Sequence, residues 1–208
     1  MGPGVGQEEQ DGPVNPVQPR SAASNWWGRS RGLPARTYED WRRSLLAVAG
    51  RTPRILAWAP TPTGFCIGSP AALSIGDDSG FTHLGWHEIE RGGWNSETRR
   101  LSWVRYPSED GRSRRGFVEL VEPARLPELF RERVAASIVF ERFVPLRASE
   151  DGGVTISGRR DLAGTADRIS WHASPTRGVN WRDDAVRAEA DQLLERMRID
   201  YDTTSAGW

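Results

Sequence analysis

Three histidines, one cysteine and a cluster of arginines are the residues of this chain with chemistry to offer. His83 and His87 lie four positions apart, with Glu88 beside the second. On a strand such positions share a face, so two imidazoles can meet a metal ion there, with His172 arriving as a third ligand from a distant strand. The plainer reading is that the chain simply carries three His, one of them next to a packing Trp. No Cys-x-x-Cys or His-Glu-x-x-His spacing supports a metal, and no cofactor is expected. Cys66 can act as a nucleophile with His87 or His172 as base, which would make the chain a hydrolase-like enzyme. It sits, however, inside the apolar run Phe65-Cys66-Ile67, where an inert buried thiol is the favoured reading. There is no Gly-x-Ser-x-Gly, P-loop or dinucleotide fingerprint. Gly76-Asp77-Asp78-Ser79-Gly80 has the composition of a phosphate or metal loop but reads as a hairpin turn.

The strongest local charge signal is on one hairpin, where Arg99, Arg100, Arg105, Arg112, Arg114 and Arg115 are interleaved with Trp103 and Tyr106. Such an arrangement can bind phosphate or a nucleic-acid strand. The alternative is a solvated hairpin whose charges guard its edges against pairing with other chains. Glu109 and Asp110 at its tip dilute the patch, so the solvated reading is preferred.

Composition bounds the partners. Formal net charge is zero, so no long-range field draws the chain to nucleic acid or an anionic membrane. All 28 basic residues are Arg, with no Lys; a GC-rich genome is the bland cause and bidentate anion recognition the functional one. A single cysteine forbids an internal disulfide and fits a reducing compartment. No run approaches the ~18 apolar residues of a membrane-spanning helix. The start MGPGVGQEEQDG does not read as a secretory signal, so the cytoplasm is the expected compartment.

These residues must be positioned by short elements. Residues 1–36 are rich in Gly, Pro, Gln and Ser and are expected to be a disordered tail, with Trp26 and Trp27 either folding back on the domain or anchoring a partner. Residues 37–202 form the expected single domain, and 203–208 a loose tail. Thr37 is placed to cap a helix carrying Trp41, Leu45, Leu46 and Ala49 on one stripe, with Gly50 to end it. From Arg54 to Val121, short apolar runs alternate with Pro, Gly, Asn, Asp and Ser, the pattern of successive antiparallel strands. Phe81–Trp94 is long for one strand, and Gly92-Gly93 invites a bend near its end; Trp86 within it is expected to be buried. A helix is predicted from near Pro123, with Leu126, Leu129, Phe130, Val134 and Ile138 at helical spacing. Strands over 140–146, 154–157 and 169–172 follow, then a helix opening at Asp183 with Val186, Ala190, Leu193, Leu194 and Met197 inward and an acidic outer face.

Leu84-Gly85-Trp86-His87-Glu88-Ile89 followed by Gly93-Trp94-Asn95 resembles the strand signature of bacterial pleckstrin-homology-like (PH-like) domains. Their Trp-x-x-Ile step follows a strand, here Ala72-Leu73-Ser74-Ile75, and precedes a hairpin with a hydrophobic strand, here Arg100–Val104. Leu129–Val134 falls where the capping helix of that family would sit. The resemblance covers roughly residues 54–138; the strands and helix beyond it depart from the simple family pattern. It implies an α+β fold: a split β-barrel or sandwich of antiparallel strands with a capping helix, to which this chain adds an N-terminal and a C-terminal helix. It also implies a non-catalytic binding or scaffolding role, and it carries no site residues across. The expected partner is a protein, with nucleic acid or anionic lipid on the Arg hairpin as the less favoured alternative.

Overall fold

Short runs broken every few residues by Pro, Gly, Asp or Asn pair most readily with their sequence neighbours. The computed structural model describes residues 32–49, 54–107, 113–149, 152–164 and 169–205. Among them the fold is α+β, with three antiparallel sheets, three α-helices and no closed barrel. The first sheet is a meander of β1 (Ala57–Thr61), β2 (Gly64–Gly68), β3 (Ala72–Asp77) and β4 (Gly80–Gly85). The second joins β5 (Ile89–Asn95), β6 (Arg100–Arg105) and β7 (Arg115–Glu119), with β6 central. The third joins β8 (Ile138–Pro145), β9 (Gly153–Arg160) and β10 (Ile169–Pro175), with β9 central. Gly76–Gly80 is a hairpin turn: Gly80 takes a φ of 124°, and Asp77 Oδ1 accepts the Ser79 N–H at 2.8 Å.

The first sheet is buried on both faces, as the low polarity of its opening run implies. Ala59, Cys66, Leu73 and Leu84 join Leu101 and Val118 of the second sheet in the main core. Trp58, Ile67 and Ala72 on the other face pack against Trp41 and Leu45 of α1 (Ala35–Ala49). That helix begins before the expected cap at Thr37. Pro34 supplies the carbonyl that accepts the Tyr38 N–H at 2.8 Å, so Thr37 lies within the first turn and Ala35 and Arg36 belong to the helix, not the tail. Residues 1–31, with Trp26 and Trp27, and Gly50 lie outside the described residues.

Phe81–Trp94 is two strands, and the chain turns earlier than Gly92-Gly93. A 3-10 turn, Trp86–Glu88, separates β4 from β5 and carries the chain from the first sheet to the second. Trp86 and Ile89, the two ends of the Trp-x-x-Ile step, are fully buried. Trp86 Nε1 donates to Ser69 O at 3.0 Å, and its ring meets Phe130 edge-on at 6.1 Å. Burial of this side chain, with its one polar atom satisfied, fixes the turn there.

Phe130 belongs to α2 (Leu126–Ser137), whose Leu126, Leu129 and Phe130 complete the main core. The helix starts after the expected Pro123, because the Pro123 carbonyl accepts the Leu126 N–H at 3.0 Å and Pro127 takes the first-turn position. Ile138 is the first residue of β8 instead of the last of the helical stripe. α3 (Asp184–Ser205) lays Val186 and Ala190 on Val154 and Ile156 of β9 in a separate core. Asp183 Oδ1 accepts the Ala185 N–H at 2.9 Å, the capping bond expected there. The helix continues through Ser205, beyond the predicted domain end.

Candidate functional site

Alternation along β9 sends Val154 and Ile156 towards α3 and sends Thr155, Ser157 and Arg159 to the opposite face. The register places Ser157 opposite His172 and Arg159 opposite Ser170 on β10. That polar face is covered. Arg159 is 2% exposed. Its guanidinium donates to Tyr106 Oη at 3.0 Å through Nε, to Val134 O at 3.1 Å and Ser137 Oγ at 3.2 Å through Nη1, and to Glu90 O at 3.2 Å through Nη2. One side chain thus ties β9 to α2, β5 and the end of β6. Every acceptor is neutral, so among the described residues this buried cation has no carboxylate partner.

In front of Arg159 stands Tyr106, which is buried. Its backbone N–H donates to Glu88 O at 3.0 Å, and its hydroxyl lies 2.7 Å from Ser157 Oγ. Its ring stacks flat on the His172 imidazole, with centroids 3.8 Å apart and an interplanar angle of 7°. Beyond the stacked pair opens a cleft of about 340 Å³. The 3-10 turn supplies His87 and Glu88, the end of β6 supplies Arg105, Tyr106 and Pro107, and β10 supplies Ser170 and His172; Arg114, just before β7, completes the lining. Arg105 pairs with Glu88 through Nη2 and Oε2. His87 Nδ1 lies 3.4 Å from Asp161 Oδ1, within ion-pair reach of a protonated ring but without the direction of a hydrogen bond. Among the described residues the buried His172 Nε2 has no hydrogen-bond partner. Burial first, then the charges of Arg159 and His87, push the His172 imidazole down to about 4, so the ring is neutral near pH 7.

No family model, curated protein or solved structure matches this chain.

The cleft unites residues that the sequence presented separately: His87 and His172 from the histidine set, and Arg105, Arg114 and Tyr106 from the Arg hairpin. It leaves others out. His83 sits between α1 and the first sheet, with Nδ1 2.8 Å from Ser74 Oγ and Nε2 2.9 Å from Ser44 Oγ. Trp41 Nε1 donates to the same Ser74 Oγ at 3.0 Å, so His83 is part of the joint that holds the helix down. Among the described residues no three His, Cys, Asp or Glu side chains converge as metal ligands. Cys66 is fully buried in the main core, where burial pushes its thiol well above the ordinary range. Ser170 turns its hydroxyl to the backbone, with Oγ donating to Arg159 O at 3.3 Å. Among the described residues that line the cleft, no serine hydroxyl or thiol hydrogen-bonds an imidazole as a Ser–His or Cys–His pair would.

The remaining hairpin residues go elsewhere. Arg99 sits in the β5–β6 turn with a φ of 53°. Arg100 lies on the outer face of the second sheet with its guanidinium 4.6 Å from the Phe117 ring centre. Arg115 is exposed on that same face, and Trp103 turns inward to pack on the main core. Arg112 lies outside the described residues. With Trp103 and Tyr106 engaged inside, the aromatics do not form a stacking platform for bases. Sequence reasoning missed Arg159: an Arg beside Ser and Thr on alternate strand positions reads as solvent-facing, and only the packing of α2 and Tyr106 over it makes it a buried charge.

Proposed function

We propose that this chain is a non-catalytic binding module of the cytoplasm, built on a PH-like frame, whose ligand site is the His87–His172 cleft and whose ligand is a small anion of the phosphate class. Support for the frame comes from its four-stranded sheet, its three-stranded sheet and α2 laid across their shared core; the third sheet and α3 are this chain's addition, and β10 of that sheet supplies one wall of the cleft. The observation that carries the reading is the charge of that cleft. Arg114 faces the space beside the Arg105–Glu88 pair, the neutral His172 ring and His87 with Asp161 3.4 Å from it, and Arg159 adds a buried cation behind it that has no carboxylate partner among the described residues. An anion entering here meets Arg donors suited to forked hydrogen bonding and a positive potential that low local dielectric strengthens.

Calorimetric titration with inorganic phosphate, and with vesicles containing phosphatidic acid, tests this and separates free phosphate from a lipid headgroup. Arg114 is exposed, so Arg114→Gln leaves the fold intact. We expect saturable binding at physiological salt that weakens about tenfold in that variant, the cost of one charge-assisted hydrogen bond. Absence of binding to both probes, or binding indifferent to Arg114→Gln, would overturn the assignment.

A further inference from the structure

The outer face of the second sheet carries a different feature, independent of the cleft. Its register stacks three rows across β5, β6 and β7: Arg91, Val104 and Arg115; then Gly92, Trp103 and Gly116; then Gly93, Ser102 and Phe117. Side chains of the middle row point inward, since Trp103 packs on the core and a Cβ on Gly92 would strike Phe130. The outer face is therefore left hollow between the first and third rows. A trough of about 690 Å³ lies there, floored by the middle row's backbone and walled by Arg91, Val104 and Arg115 on one side and by Ser102 and Phe117 on the other.

Arg91 reaches that wall through an irregularity. Simple alternation from the inward-facing Ile89 would send Arg91 inward as well. The register shift between Ile89 and Arg91 opposes an extra β5 residue to β6 and turns Arg91 outward, level with Arg115 across Val104. Two strand spacings separate the two arginines, about 10 Å. Arg91 pairs with the neighbouring Glu90 at 3.1 Å; Arg115 makes no ion pair among the described residues. Phe117 is 59% exposed, with Arg100 over its ring, and Glu119 is the carboxylate farther along this face. Two cations flank Val104 on one wall and face, across a channel one side chain wide, the Phe117 ring, which carries Arg100 over one side.

We propose that this trough docks a short acidic segment of a partner protein, with carboxylates between Arg91 and Arg115 and an adjacent apolar side chain against Val104 and Phe117. Charge complementarity selects the acid and the exposed ring selects the apolar neighbour. The neutral chain offers a polyanion no steering field.

The test is selection of a phage-displayed library of random dodecapeptides on the full chain, followed by titration of the enriched peptides in synthetic form. We expect enriched sequences to place Asp or Glu next to an aromatic or aliphatic residue. Binding should weaken about tenfold or more in Arg115→Glu and in Phe117→Ala, the scale of one lost charge-assisted or anchoring contact. Arg114→Gln, in the cleft, should leave it unchanged. The substituted side chains are exposed, and an unaltered thermal midpoint confirms that each variant folds. Four results would overturn the proposal: no enrichment, enriched peptides without acids, binding indifferent to Arg115→Glu and Phe117→Ala, or salt-sensitive binding of single-stranded RNA or anionic vesicles abolished by those same substitutions.

Discussion

Replacing Arg159 separates what it does for the fold from what it does for the cleft. In Arg159→Met the volume is nearly kept and the charge is lost. Three of its four acceptors retain another bond: Tyr106 Oη keeps Ser157 at 2.7 Å, Ser137 Oγ still donates to Val134 O at 2.7 Å, and that bond satisfies the Val134 carbonyl. Glu90 O loses the bond from Nη2, at a cost of up to about 1–3 kcal/mol, while the burial penalty of the cation disappears. The net loss for Met is therefore about 1–3 kcal/mol or less. Arg159→Ala loses the same bond and adds a cavity, for a total of about 3–5 kcal/mol. Binding should respond differently. The guanidinium lies 5.5 Å from the Tyr106 ring centre, and that ring lies 3.8 Å from the His172 ring, so the charge is about 9 Å or less from the cleft wall. A unit charge at about 9 Å in an effective dielectric of about 20 is worth roughly 2 kcal/mol, falling to about 1 with screening. Phosphate affinity in Arg159→Met should thus fall about fivefold. Urea unfolding followed by tryptophan fluorescence measures the first effect and calorimetry the second. Equal destabilisation by Met and Ala, or a Met variant that binds phosphate as the unaltered chain does, would refute the reasoning.

Trp86→Ala should cost about 3–5 kcal/mol, since it removes a fully buried indole at the junction of two sheets; a loss below about 1 kcal/mol in urea unfolding would contradict that placement. Cys66 should react with a thiol reagent no faster than the chain unfolds globally, because the thiol is fully buried and its ionisation suppressed; rapid labelling under native conditions would show an accessible thiol. The folded His172 imidazole titrates near 4 against an ordinary 6.5, so on acidification the unfolded chain takes the proton first. Stability held by the neutral ring is complete above pH 6.5 and is lost as pH falls towards about 4. The full span corresponds to at most about 3 kcal/mol, reduced to about 1–2 by the ring's partial exposure. His172→Gln should flatten the fall in thermal midpoint over that window, and an unchanged pH profile would exclude the buried neutral ring.

What the sequence revealed, and what it hid, follows from the range of the forces involved. Gly76–Gly80 read correctly as a turn because a side chain there bonds its own backbone: Asp77 Oδ1 accepts the Ser79 N–H at 2.8 Å. The buried Trp86 and the helical stripe of Leu126, Leu129 and Phe130 were legible from local patterning. The 3-10 turn was not, because Trp86 reaches Ser69 in the β2–β3 turn and so bends the chain before the glycines that locally favour bending. The cleft was legible only in pieces. His87 and His172 are brought near each other by the pairing of β9 with β10 and by the hub around Arg159, and neither is encoded near either histidine. Arg159 itself was hidden because alternation shows that a strand face is polar and says nothing about what covers it. The Arg hairpin looked like one patch, but strand alternation splits Arg105 from Arg100 and Arg115 and places them on opposite faces of the sheet.

The cleft is tested most directly by following the imidazole resonances of His83, His87 and His172 as inorganic phosphate is added at constant ionic strength and pH. We expect the His87 and His172 signals to move together and saturably, His83 to stay still between Ser44 and Ser74, and Arg114→Gln to weaken the response. His87 and His172 signals that stay fixed throughout the titration, or that move no differently from His83, would contradict the assignment of this cleft as an anion site.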